Sequence, residues 1–300
     1  MKILLFGKNG QVGWELQRSL APLGELVALG AGSREMCGDF TDPDGLVRTI
    51  RAIAPDVIVN AAAYTAVDKA ESEPELARTV NALAPDVLAR EAKLGNAWLI
   101  HYSTDYVFDG SGNRPWRETD ATAPLNVYGA TKLEGERLIQ AAGCAYLIFR
   151  TSWVYGARGG NFAKTMLRLA QERDNLSVID DQIGAPTGAD LLADVTAHAI
   201  RVARQRPELS GLYHLVAAGE TSWYGYASFV IDFARRAGMT LKVAPDAIQP
   251  VPSSAFPTPA RRPHNSRLDT TKLQHIFDLT LPFWQTGVAR MLTETLDRQP

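Results

Sequence analysis

An α/β fold built on a doubly wound parallel sheet, followed by a smaller α/β region, is what the sequence predicts. Two observations carry it. Apolar runs of strand length alternate with helical stretches five times before about residue 155, the pattern of successive strand–helix–strand units. The first run also enters a glycine-rich turn that opens directly into a helix, the context a dinucleotide-binding turn requires.

The elements follow in chain order. Lys2 to Gly7 is a short apolar run ending in glycine, as expected of a strand buried on both faces. Gly7, Gly10, Gln11, Val12 and Gly13 form the turn, with a helix over Trp14 to Leu20. Its glycines permit a tight bend and let backbone N–H groups approach a pyrophosphate, which makes the fold Rossmann-type and the cofactor NADPH or NADH. Glu25 to Leu29 is the second strand. It ends in Gly30-Ala31-Gly32-Ser33-Arg34, without a carboxylate until Glu35. An acid there would bind a ribose 2′-hydroxyl, whereas Ser33 and Arg34 suit a 2′-phosphate. A solvated loop arginine is the competing reading.

Asp39 and Phe40 precede a helix begun by Asp42-Pro43, with Thr41 or Asp42 as cap. Asp56 to Ala63 is a third strand ending in small residues, including Ala62 and Ala63, that let a cofactor lie against the backbone. Glu71 to Leu94 is helical, with Pro74 and Pro85 as breaks or starts. Ala97 to Ser103 is the fourth strand and delivers Thr104 at its end; Asn126 to Ala142 is a helix and Ala145 to Arg150 the fifth strand. Beyond, helices are expected near 162–172, 188–204, 223–237 and 282–296, strands near 176–179 and 211–216, and a Pro-rich loop with Arg261 and Arg262 near 251–265. Residues 1–155 are expected to bind NAD(P) and 156–300 mainly the substrate, with the chain free to cross back.

With 300 residues, 46% of them hydrophobic, the chain can bury a large core. A formal net charge of -2 gives no sign of a nucleic-acid partner, and no apolar run approaches the ~20 residues of a membrane span. Two cysteines are too few for a disulfide framework. A cytoplasmic protein is expected.

The chemistry centres on Tyr128 and Lys132, four residues apart and so on one face of a helix. A lysine ammonium near a phenol favours the phenolate, so the tyrosine pKa should fall towards the working pH and suit it for proton transfer. Thr104 offers a hydroxyl to hold a carbonyl oxygen. His101 and His214 are expected to be satisfied core histidines, and neither has a partner at metal-ligand spacing.

The glycine turn, Asn60-Ala61-Ala62-Ala63, Ser103-Thr104-Asp105-Tyr106-Val107-Phe108 and Tyr128-x-x-x-Lys132 together resemble the extended short-chain dehydrogenase/reductases. Within that superfamily the chain is most similar, nearly end to end, to the reductases that act last in dTDP-L-rhamnose synthesis. That resemblance implies reduction of the 4-keto group of a dTDP-sugar for cell-surface polysaccharide synthesis, with Thr104, Tyr128 and Lys132 as the catalytic triad. It places the cofactor on Gly7 to Gly13, Asp39, Phe40, Ala62, Ala63, Tyr128 and Lys132, and the sugar nucleotide among Thr65, Val67, Thr104, Asp105, Tyr106, Trp153 and Arg262. It further implies a homodimer with a magnesium ion held by acidic residues from both subunits, at Glu15, Asp190 and Glu294, although Asp190 stands where a longer Glu is familiar; solvated acids are the competing reading. A sugar-nucleotide epimerase or dehydratase, or a non-catalytic NADP-binding regulatory subunit, are the rival functions. Tyr106 in place of an acid after Asp105 disfavours a dehydratase.

Overall fold

A computed structural model describes residues 1–296. Five strands of the main sheet are β1 (Lys2–Phe6), β2 (Glu25–Leu29), β3 (Val57–Asn60), β4 (Trp98–Thr104) and β5 (Ala145–Thr151). A sixth strand, Gly211–His214, pairs with β5, so the order runs from that strand through β5, β4, β3 and β1 to β2, with every pair parallel. All seven residues of β4 are buried, the mark of a strand covered by helices on both faces. The expected third strand is shorter than its apolar run. It ends at Asn60, and Ala61 to Ala63 leave the sheet to pass close to Gly7.

The helices are α1 (Gln11–Leu20), α2 (Pro43–Ile53), α3 (Val67–Ala70), α4 (Pro74–Arg78), α5 (Ala84–Leu94) and α6 (Val127–Ala142), followed by α7 (Phe162–Glu172), α8 (Ala189–Gln205), α9 (Trp223–Arg236), α10 (Thr271–Phe277) and α11 (Trp284–Leu296). Asp42 caps α2 by accepting from the Gly45 N–H at 2.9 Å. The helical stretch expected over Glu71 to Leu94 has starts at its two prolines, and between α4 and α5 it passes through a π-helical segment, Thr79–Leu83, the kind of local widening that often accompanies a functional site. Its Asn81 side chain clasps the backbone of Tyr64 at 2.9 and 3.1 Å and reaches Thr131 at 3.2 Å. The loop after β3 is thereby tied to α6.

Apolar side chains of α8, including Leu192, Val195 and Ile200, pack with Leu16 and Leu20 of α1 and with the sheet. The chain therefore returns to the first sheet through α8 and Gly211–His214. A separate cluster joins α7, α9 and α11 around Leu176, Val178 and Tyr226.

α6 is fixed at its start by Asn126, whose Oδ1 accepts from the Gly129 N–H at 2.8 Å while Nδ2 donates to the Arg261 carbonyl at 2.7 Å. Asn126→Ala is expected to cost about 1 kcal/mol, the usual worth of an N-cap. Urea unfolding checks it, and an unchanged midpoint would refute the role.

Candidate active site

The C-terminal ends of the strands, where the chain order reverses between β1 and β3, open into a cleft of about 560 Å³. Ligands of open parallel sheets bind at such a position. Gly10, Gln11 and Val12 line one end, and Ala61 and Ala63 follow. α1 has no side-chain cap, so its first N–H groups are available to an anion. Two glycines are dictated by close approach. A Cβ on Gly7 would lie 2.5 Å from the Ala61 carbonyl carbon, and one on Gly13 2.0 Å from the Gly7 oxygen. Gly13 thus packs the helix on the turn and does not face the cleft.

A continuing groove is lined by Gly7, Gly10, Gly30, Asp39, Phe40, Ala62 and Ala63. Phe40 is buried edge-on to Phe6, with ring centroids 5.5 Å apart, and Asp39 accepts from the Thr41 N–H at 2.9 Å. Ser33 and Arg34 line a shallow neighbouring groove with Lys8, and Ser33 accepts from the Gly30 N–H at 3.0 Å. Backbone donors, small residues and an open helix start fit a dinucleotide.

At the other end the cleft gathers Thr104, Asp105, Tyr106, Tyr128 and Lys132. Thr104 ends β4 and hydrogen-bonds the Tyr128 phenol; it also donates to Asp105 at 3.1 Å and accepts from the Tyr106 N–H at 3.1 Å. The electrostatics differ from the sequence expectation. Burial pushes the Tyr128 phenol up to about 12, against the pull of the Thr104 hydrogen bond. Lys132 does not lower it, because its ammonium position is engaged elsewhere: Nζ donates to the Tyr102 carbonyl at 2.5 Å and lies 3.2 Å from His101 Nε2. Lys132 itself is brought down to about 8 by burial, with Glu136 acting in the opposite direction. Tyr128 is therefore a protonated phenol at neutral pH, the state a proton donor needs. Burial also raises the Asp105 carboxyl to about 7.

Thr65, Val67, Tyr106 and Trp153 line the same cleft. Trp153 adopts φ 49° and stacks on Trp223 with centroids 3.7 Å apart. Trp223 is a lining residue that sequence reading missed, since it arrives from α9 with no motif around it. Arg262 is not at the cleft wall. It is held by Asp68 through bonds of 2.7 and 3.1 Å, next to Val67, and hydrogen-bonds Tyr106. His101 is the satisfied core histidine that the sequence suggested, buried with Asn60 on one ring nitrogen and Lys132 on the other.

The three acids expected at an inter-subunit magnesium site carry arginine partners within the chain. Glu15, Asp190 and Glu294 do share a small cleft, but Arg290 stands in it as well, 3.5 Å from Asp190 and 3.3 Å from Glu294. Glu15 pairs with Arg18 at 3.4 Å. A guanidinium already balances each acid, and no cluster of acidic, His or Cys residues among the described residues is arranged to hold a metal ion.

The parallel sheet, glycine turn and Thr104–Tyr128–Lys132 cluster are those of an extended short-chain dehydrogenase/reductase. More narrowly, the chain belongs to the dTDP-4-dehydrorhamnose reductase family. The family model described as RmlD substrate binding domain matches residues 1–296. The chain is 64% identical over 294 residues to the dTDP-4-dehydrorhamnose reductase of Salmonella typhimurium, covering 98% of both. It is 47% identical to that of Burkholderia thailandensis, covering 99% of this chain and 100% of the relative. Among solved structures, the Bacillus anthracis dTDP-4-dehydrorhamnose reductase in complex with NADP matches with a TM-score of 0.86 at 34% identity, over 98% of this chain and 99% of that one.

Proposed function

We propose that this protein reduces the 4-keto group of dTDP-4-dehydro-β-L-rhamnose to give dTDP-L-rhamnose, using NADPH or NADH. The observation that carries the reading is the buried, protonated Tyr128 phenol hydrogen-bonded by Thr104 in a cleft that continues into the glycine turn. The 64% identity to a named reductase over nearly the whole chain supports the choice of substrate. When bound, the nicotinamide supplies the hydride for the carbonyl carbon. Tyr128 gives its proton to the oxygen as charge develops there, and Thr104 holds that oxygen; placing donors where charge develops is a large share of such a rate. Lys132 lies on the same helix face as Tyr128 and lines the cleft with it. Tyr106, Val67, Thr65, Asp105 and the Trp153–Trp223 stack form the proposed sugar-nucleotide wall, with Arg262 behind Tyr106. Action as a homodimer in the cytoplasm is the finer part of the reading and rests on the resemblance; no helix among the described residues is long and apolar enough to cross a membrane.

NADPH oxidation that requires added dTDP-4-keto sugar tests this reading. An epimerase or dehydratase consumes no reduced cofactor over a full cycle, and a regulatory subunit turns over nothing, so absence of substrate-dependent oxidation would sink it. Cofactor choice has its own test. Arg34 is exposed beside Ser33, and Arg34→Ala is expected to raise the KM for NADPH by about five- to tenfold, the loss of a single exposed phosphate contact, while leaving that for NADH nearly unchanged. An unaltered ratio of the two would show that Arg34 is a solvated loop residue.

A further inference from the structure

One wall of the cleft is a pair of indoles, and the chain segment behind it decides how that pair is held. Trp153 stands at φ 49°, left-handed backbone that a non-glycine residue keeps only where its surroundings compensate. Trp223 is the first residue of α9. Their rings stack with centroids 3.7 Å apart and 16° between the planes, and both line the cleft. Aromatic pairs accept a range of offsets and tilts, so the stack alone does not fix either ring. Phe162 also packs on Trp223, with centroids 4.5 Å apart, but offers no acceptor for the indole N–H.

The segment from Asp180 to Gly184 provides what the stack lacks. Ile183–Gly184 pairs antiparallel with Thr221–Ser222, which places it beside the chain entering α9. Asp180 accepts from the Ser222 hydroxyl, and Ser222 caps α9 by accepting from the Gly225 N–H at 3.0 Å. Gln182 is buried and faces the Trp223 indole. An indole N–H only donates, so the amide oxygen Oε1 is the atom that accepts from it, at 3.1 Å. Nε2 is then left to donate to Ser253 Oγ at 2.9 Å, which gives its own proton to Asp181 Oδ1 at 2.5 Å. Turning the amide over would set donor against donor at the indole, so the row Trp223–Gln182–Ser253–Asp181 runs in one direction. Gly184 acts on the other indole. A Cβ there would lie 2.8 and 3.0 Å from Trp153 Cε2 and Cζ2, so the ring occupies the space a side chain would take.

We infer that Gln182 and Gly184 are positioning residues for the sugar-nucleotide end of the cleft: Gln182 fixes the Trp223 ring through its indole N–H, and Gly184 gives the Trp153 ring its place, so that the two indoles form one wall. Neither residue lines the cleft itself. Gly10 to Val12 at the cofactor end, and Thr104, Tyr128 and Lys132, belong to other elements. The two residues should therefore act on sugar-nucleotide affinity and leave cofactor affinity and proton transfer as they are. The inference rests on the reductase reading for what the wall binds. How the indoles are held stands apart from it.

The test compares the full-length enzyme with Gln182→Leu, Gly184→Ala, Trp223→Phe and the Gln182→Leu/Trp223→Phe double variant. It reads KM for the dTDP-4-keto sugar, kcat, NADPH binding, and the far-ultraviolet circular-dichroism couplet of the stacked indoles, which Trp153→Phe identifies by abolishing it. Gln182→Leu is expected to raise KM by about five- to tenfold, the usual consequence of one buried hydrogen bond left unmade, and to weaken the couplet. kcat and NADPH affinity should stay within about twofold. In the Trp223→Phe background, which has no indole N–H, the same substitution should change KM by less than about twofold, because the two residues act as one unit. Gly184→Ala should raise KM at least as far and alter the couplet from the Trp153 side. An unchanged KM or couplet in Gln182→Leu, its full effect persisting in the Trp223→Phe background, or wild-type behaviour of Gly184→Ala each overturns the inference. Should Gly184→Ala fail to fold, the Gln182→Leu series decides alone. A wild-type enzyme that oxidises no NADPH with the keto sugar would fail the reductase reading instead, and the couplets would still decide how the indoles are held.

Discussion

Tyr128→Phe is expected to lower kcat for reduction of the keto sugar by about 10²–10⁴-fold, the range over which a positioned general acid contributes, while the dissociation constant for NADPH changes by less than about threefold, well under 1 kcal/mol. The substitution removes one oxygen from a phenol whose ring packs edge-on against Tyr106, with centroids 5.6 Å apart, so the cleft wall keeps its shape. The cofactor end, at Gly10 to Val12 and Ala61 to Ala63, is formed by other elements. Fluorescence titration with NADPH and steady-state turnover separate the two effects. Turnover within about threefold of wild type would remove Tyr128 from the mechanism, and lost cofactor binding would reassign it to the cofactor site. The pH profile carries a further expectation. With the phenol raised to about 12, ionisation of Tyr128 should not limit kcat between about pH 6 and 9. A fall near pH 8 would match the lysine, which is lowered to about that value, and not the tyrosine.

That assignment reverses what the four-residue spacing alone implies, and the reason is instructive. Tyr128 and Lys132 do share a helix face, as the sequence pattern required. Where the lysine points is decided by β4, whose Tyr102 carbonyl and His101 ring sit under it. Elements whose identity is local were legible: the first strand, the glycine turn and Thr104 at a strand end all follow from short patterns. Pairings that depend on strand register were not. Asn60 and His101 are 41 residues apart and meet only because β3 lies beside β4. Trp223 reaches the cleft from α9 to stack on Trp153, a contact no spacing announces. The same limit applies to Arg262. The resemblance sets it among the sugar-nucleotide residues, yet a bidentate pair with Asp68 occupies its guanidinium, so a ligand would have to compete with a carboxylate already in place.

Glu136→Gln is expected to destabilise the fold by about 3–5 kcal/mol, the cost of leaving a buried partner charge uncompensated. Glu136 on α6 and Arg150 on β5 are 2% and 5% exposed at their side chains, and two parallel bonds of 2.9 and 2.6 Å join them. Ser103 on β4 donates to the same carboxylate at 2.5 Å. The guanidinium also lies 5.0 Å from the centroid of the Phe108 ring, and its Nη1 has no partner among the described residues. Gln preserves shape but removes the charge, so Arg150 stays buried as a cation with only neutral acceptors. Net worth is a different quantity from the cost of breaking the pair. Replacing both ends, as in Glu136→Met with Arg150→Met, removes two desolvated charges together and should recover most of the loss. Urea unfolding of the two singles and the double gives the coupling directly. A loss under about 1 kcal/mol for Glu136→Gln would mean the pair is solvated or redundant. The double variant should also separate folding from the site: Glu136 favours the ammonium of Lys132, so with the carboxylate gone the lysine should titrate lower even where stability returns. The pair thus joins α6 to β4 and β5 while opposing the neutral lysine that burial favours.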